Sequence, residues 1–188
     1  MKCVRHAVAL DEKRAAFRSN VYLDKGESHP NGSPRVMNVW FPGVHADIGG
    51  GYLFEDSGLA MGAFQWMIAE ARTIGMQINP WALEKLLKAC PPNPAATLHE
   101  SLTGAWNVLE YLPARRYNWD KHETEWRYQP KKPRRMNVTK AYLHQSVLDR
   151  VNRDRSYWPA PLPKMTVEAL QKQFAIVVDK PNVMPLPA

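Results

Sequence analysis

The feature that most constrains this chain is the run Val36-Met37-Asn38-Val39-Trp40-Phe41 followed at once by Pro42-Gly43. Its β-branched and aromatic residues favour a strand that is largely buried. The proline then ends the ladder, because it has no N–H to donate, and the glycine permits a sharp turn. A buried strand needs apolar cover on both faces, and the helical patterns that follow supply it. Apolar residues recur at helical spacing from Leu59 to Thr73, with Asp56 or Ser57 as N-cap and Gly75 suited to the left-handed position beyond the end. Asn79 and Pro80 open a second helix that stops before Pro91-Pro92.

Further along, the sequence predicts a helix from Leu98 to Leu109, an extended stretch from Tyr117 to Tyr128, and helices over Ser146–Arg153 and Val167–Phe174. Ahead of the strand, Leu10 to Phe17 reads as a short helix and Ser19 to Pro34 as a polar loop. One strand and several amphipathic helices give an α/β class. They look like the end of such a fold rather than a whole one.

Two compositions share the 188 residues. Residues 113–188 hold fifteen of the 25 Lys and Arg and nine of the sixteen prolines, whereas all ten glycines lie at or before Gly104. We therefore divide the chain into a glycine-bearing part, 1–112, and a basic, proline-rich closing region, 113–188, of the same domain. With only Cys3 and Cys90, neither a disulfide framework nor a four-cysteine zinc site can be built. The first residues lack a signal-peptide core, and no apolar run approaches the ~18 residues of a membrane span. The expectation is a cytoplasmic protein of its producing cell, or one exported without a cleaved signal.

The loop Val44-His45-Ala46-Asp47-Ile48-Gly49-Gly50-Gly51-Tyr52 puts His45 and Asp47 just beyond the strand's carboxyl end, where open α/β sheets place their sites. Gly43 makes the turn, and Gly49, Gly50 and Gly51 let the backbone approach whatever His45 addresses. A histidine there exchanges protons at neutral pH and suits a general base. The plainer alternative is that its ring only ties down the loop. Asp47 is open to three roles: orienting a turn, steering the imidazole, or capping a helix.

The fourteen residues from Val39 to Tyr52 resemble the signature of an otherwise uncharacterised α/β-hydrolase domain family that includes the phospholipase (lipase) effectors of bacterial type VI secretion. Arg5-His6-Ala7-Val8-Ala9-Leu10-Asp11-Glu12 resembles the segment before it. Leu98-His99-Glu100-Ser101-Leu102 with Trp106, and His144 to Arg150 with Tyr157-Trp158-Pro159, resemble later ones, so the likeness runs from about Arg5 to about Pro163. It implies the C-terminal part of an α/β-hydrolase fold and hydrolysis of lipid esters by a Ser, Asp and His triad, with the histidine at His45. That Ser, Asp, His order along a chain is the α/β-hydrolase order.

The chain departs from the family in having no Gly-x-Ser-x-Gly elbow, so the nucleophile and its partner acid are expected on a preceding segment, and Asp47 is a catalytic candidate as the triad acid only if the chain departs from the family's order. The expectation is therefore the histidine-bearing fragment of a hydrolase, inactive alone and acting on a lipid or ester once an N-terminal half completes it. The alternative is a non-catalytic accessory module that docks on a separate hydrolase half or an anionic surface.

Other chemistry is weaker. His45 and Asp47 as metal ligands lack a His-Glu-x-x-His partner, and His122-Glu123-Thr124-Glu125 has no returning histidine, so neither metal nor cofactor is expected. No Gly-Lys-Ser/Thr follows the glycines, which excludes a P-loop. Cys90 closes an apolar helix and reads as a small hydrophobe. His6 reads as a buried structural histidine, and His99 and His144 as hydrogen-bonding residues at helix termini. The basic, aromatic stretch from Arg115 to Arg155 can meet nucleic acid or anionic lipid, or be a solvated surface. Given the resemblance, a membrane surface is preferred to nucleic acid.

Overall fold

The structure is a computed structural model that describes residues 3–14, 17, 21–22, 25–109, 114–118, 123–127 and 141–179. Its centre is a four-stranded sheet in the order β1 (Val4–Ala9), β2 (Val36–Phe41), β5 (Tyr142–His144), β6 (Ala175–Val177). Every pairing in it is parallel. The helices are α1 (His45–Gly49), α2 (Gly58–Thr73), α3 (Pro80–Ala89), α4 (Ala105–Leu109), α5 (Gln145–Arg153) and α6 (Val167–Gln173). A separate antiparallel pair, β3 (Ala114–Asn118) and β4 (Glu123–Arg127), stands outside the sheet. Among the described residues no helix is long and apolar enough to cross a membrane.

The pleat sorts the core. Register pairs Val8 with Trp40 and Ala7 with Val39, so each pair shares a face. Val8, Leu10, Trp40 and Leu143 pack with Val147 and Leu148 of α5 and Leu170 of α6. Val39 and Phe41 turn the other way, onto Ala63 and Trp66 of α2. Helices on both faces are what a parallel sheet requires, since its crossovers put them there.

α2 and α3 form where their caps predict. Ser57 precedes α2 and Gly75 adopts φ +92° beyond it. The Asn79 side chain accepts from the Ala82 N–H at 3.1 Å, ahead of Pro80 at the first helical position of α3. α5 and α6 likewise start within a residue of expectation.

Four expectations fail. The single strand becomes a four-stranded parallel sheet. Residues 10–14 are not helical, because the Leu10 N–H donates to the Phe41 carbonyl and the Asp11 N–H to the Gly43 carbonyl, each at 3.0 Å, prolonging the β1–β2 ladder. The helix expected from Leu98 shortens to Ala105–Leu109. Its first residues spend their polar groups elsewhere, the His99 N–H on Asp47 and the Ser101 hydroxyl on Glu12. The closing region, expected to be helical, also gives β5 and β6 to the sheet. The extended stretch falls on β3 and β4, while the Lys131–Arg135 cluster lies outside the described residues.

Candidate active site

The site lies beyond the carboxyl ends of β1 and β2 and is built on two adjacent carboxylates. Asp11 Oδ2 accepts from the Gly43 N–H and from the Tyr157 hydroxyl, both at 2.7 Å. Glu12, almost fully buried, accepts from the Arg14 backbone and guanidinium, from the Ser101 hydroxyl at 2.9 Å and from the His45 N–H at 3.1 Å. Burial pushes the Glu12 carboxyl up, but these donors outweigh it and hold the group at about 2. At Asp11 burial prevails over its two donors and the carboxyl is raised above its usual value. Burial, followed by the Asp11 charge, also drives the Tyr157 hydroxyl up, so it stays a donor.

What was expected to be a glycine loop begins with a short helix, α1, and His45 is its first residue. The difference comes from Asp47, whose Oδ2 accepts from the Val44 N–H at 3.0 Å and so satisfies a donor that the first turn leaves free. Gly43 sits at φ +126°, and a Cβ there would fall 2.6 Å from that of Asp47. Only glycine lets the turn and the aspartate share this space. Gly49 ends α1, Gly50 at φ +76° turns the chain away, and Gly51 lies against Ala46.

The structure does not bring Asp47 to His45. Asp47, 2% exposed, meets His99 instead, with Oδ1 at 2.6 Å from the ring Nδ1 and Oδ2 at 3.4 Å from the backbone N–H. The His99 ring stacks on Tyr52 at 3.6 Å between centroids, with 14° between the planes. A carboxylate on Nδ1 and an aromatic face fix the ring's tautomer and plane, leaving Nε2 as the nitrogen that takes a proton. Fifty-two positions separate the pair, so no spacing rule joins them.

His45 is exposed and leans on Phe17, 5.1 Å between ring centroids. Among the described residues its imidazole has no hydrogen-bond partner; its backbone alone is held, by Glu12. The ring faces a cavity of about 680 Å³ whose wall includes Ile48, Phe54, Met61, Phe64 and Met67, and which Gly49 and Gly50 also line. Among the described residues no three His, Cys, Asp or Glu side chains converge as a metal site would need.

The His6 Nδ1 lies 3.1 Å from Asn38 Oδ1, beside the Tyr22 ring. Cys90 is buried at the end of α3, with its thiol 3.2 Å from the Phe54 carbonyl. His144 caps α5, as its position before Ser146 suggests. His122 lies outside the described residues. Glu12 and His99 are the two site residues that spacing passes over.

No curated protein and no solved structure matches the chain. Residues 1–70, which hold β1, β2, α1 and most of α2, match the family model described as T6SS, phospholipase effector Tle1-like, catalytic domain.

Proposed function

We propose that the chain supplies the acid and base of a serine-type hydrolase of lipid esters, Asp47 and His99, as the C-terminal part of an α/β-hydrolase domain. The Asp47 to His99 hydrogen bond of 2.6 Å carries this reading. It has the orientation that a triad needs, with a buried carboxylate on Nδ1 and, among the described residues, no partner on the opposite nitrogen, which is left for a serine hydroxyl. His99 Nε2 takes the serine proton as the hydroxyl attacks the ester carbonyl. It then returns that proton to the leaving alcohol while Asp47 stabilises the imidazolium. The family match over residues 1–70 points the substrate to phospholipid. In this reading the nucleophile comes from a separate segment, since these 188 residues have no Gly-x-Ser-x-Gly elbow.

In this reading His45 lines the cavity, Gly49 and Gly50 shape its rim and Gly43 makes the turn that leads to it, while an anionic membrane surface meets the basic closing region. A second assignment, His45 as the base, is favoured by its exposed ring on the 680 Å³ cavity. The deciding experiment mixes the chain with the elbow-bearing half of a Tle1-like effector and follows fatty-acid release from phosphatidylglycerol-containing vesicles. Neither half alone turns over, and the mixture does. His99→Ala and Asp47→Asn then each lower kcat by about 10³-fold or more, as losses within a triad do. Loss on His45→Ala with His99→Ala active would reverse the assignment. Binding without turnover in the mixture would make the chain an accessory module.

A further inference from the structure

A second Ser, His and Asp grouping lies at the carboxyl ends of β5 and β6, and the hydrolysis proposed above does not use it. β5 ends on His144 and α5 begins on the next residue, so no loop intervenes. The His144 ring is buried and stacked on Phe41, 4.4 Å between centroids at 25°. Its Nδ1 lies 2.8 Å from the Ser146 hydroxyl and 3.3 Å from the Ser146 N–H, and its Nε2 lies 3.2 Å from Asp179 Oδ1.

Two of these contacts fix the tautomer. A backbone N–H only donates, so Nδ1 is the accepting nitrogen, and a carboxylate only accepts, so Nε2 carries the hydrogen. The Ser146 hydroxyl therefore donates to Nδ1. The relay runs from serine to imidazole to carboxylate, with the two ring nitrogens exchanged relative to the commoner arrangement. Capping α5 requires only the Ser146 N–H on Nδ1. It does not call for the hydroxyl, for a carboxylate behind the ring, or for open space in front of it.

Open space is present. Ser146, His144 and Asp179 line a cavity of about 380 Å³ whose wall also includes Pro42, Leu59 and Asn93. α5 is nine residues long, and Gln145 and Asp149 of its first turns line the same cavity beside Ser146. At ~30 Å³ per water-sized group this volume holds roughly a dozen non-hydrogen atoms, too few for a diacyl lipid and enough for a small ester.

We propose that Ser146 is a second, independent nucleophile, activated by His144 and Asp179, that accepts acyl groups from small carboxylic esters. Its Oγ bonds to the carbonyl carbon as its proton passes to His144 Nδ1. The ester C–O bond then breaks, and that proton leaves with the alkoxide as an alcohol. Water attacks the acyl-serine by the same proton route, releasing the carboxylic acid and restoring the hydroxyl.

The 188-residue chain is treated with p-nitrophenyl acetate and, separately, with a fluorophosphonate, and the adduct is located by intact mass and peptide mapping. A single stoichiometric adduct on Ser146 is expected. Ser146→Ala removes it, and His144→Gln and Asp179→Asn each slow labelling at least tenfold while the protein melts cooperatively. The wild-type mapping needs no variant, so a misfolded mutant does not remove the test. A folded wild-type chain that takes no label, or takes it anywhere other than Ser146, overturns the proposal. The phospholipid assay with its added half reads His99 and is independent of this outcome.

Discussion

Glu12→Gln changes one oxygen of a carboxylate that ties three segments together. The side chain is fully screened from solvent and accepts from Arg14, Ser101 and the His45 N–H. An amide cannot take all of these donors, because one of its two groups only donates. The native carboxyl sits at about 2 against 4.5 for the free side chain. At 1.36 kcal/mol per unit that difference is about 3 kcal/mol of stability at neutral pH. A domain of this size loses about 2–4 °C per kcal/mol, so the variant should melt roughly 6–12 °C lower at pH 7.

The pH dependence gives an independent check. A carboxylate whose folded value is depressed stabilises fully above the unfolded value, and the contribution is lost as pH falls from 4.5 through 2. Asp11 acts with the opposite sign, since its folded value is raised and its contribution favours low pH. Both proteins contain Asp11, so it cancels in their difference. Urea melts between pH 7 and pH 2 should show the wild-type and Glu12→Gln stabilities converging through that window. Parallel curves, or equal melting at pH 7, would refute the assignment of Glu12 as the buried tie.

Two other substitutions follow from the same geometry. Gly43→Ala places a methyl 2.6 Å from Asp47 Cβ at a positive φ, and strain plus overlap should cost about 2–4 kcal/mol in urea melts, with loss of the His99 ring NMR signal's native position. Leu143→Ala opens a void in a strand residue that is 0% exposed and packed among the α5 and α6 side chains. It should lower stability by about 2–5 kcal/mol while leaving Ser146 and the Asp47 to His99 pair in place, measurable as an unchanged histidine NMR pattern at low temperature.

The parts of the fold legible in the sequence are those fixed within a few residues. Asn79-Pro80 and Gly75 announce helix ends because capping and left-handed backbone are local requirements. β5 and β6 were illegible because each is three residues long, too short for any alternation to register. β1 was obscured by Arg5, whose charge looks wrong for a strand until Glu70 on α2 is seen to pair with it at the sheet's face. The site divides the same way. The strand, the turn at Gly43 and the presence of His45 beyond it are local. The Asp47 to His99 bond and the Glu12 ties to Ser101 are made across the fold: the parallel β1–β2 register sets Glu12 and Asp47 at one edge, and the 98–102 segment reaches both from far along the chain.

That register also explains why both histidine clusters arise where they do. In a parallel sheet all carboxyl ends lie on one edge, so residues just past β1, β2, β5 and β6 converge there however far apart they stand in the chain. Asp11 and Glu12 follow β1, Asp47 follows β2, His144 ends β5 and Asp179 follows β6. The same edge collects carboxylates faster than cations, and each buried one must find donors or shift its protonation. Glu12 and Asp47 find theirs in Arg14, Ser101, Val44 and His99, and Asp179 in His144. Asp11 finds only two among the described residues, and its raised carboxyl is the consequence. Histidines recur opposite these acids because a neutral imidazole satisfies a carboxylate through one nitrogen while offering the other. A sheet edge stabilised in this way is already most of a proton-transfer site, and a serine at either free nitrogen completes it.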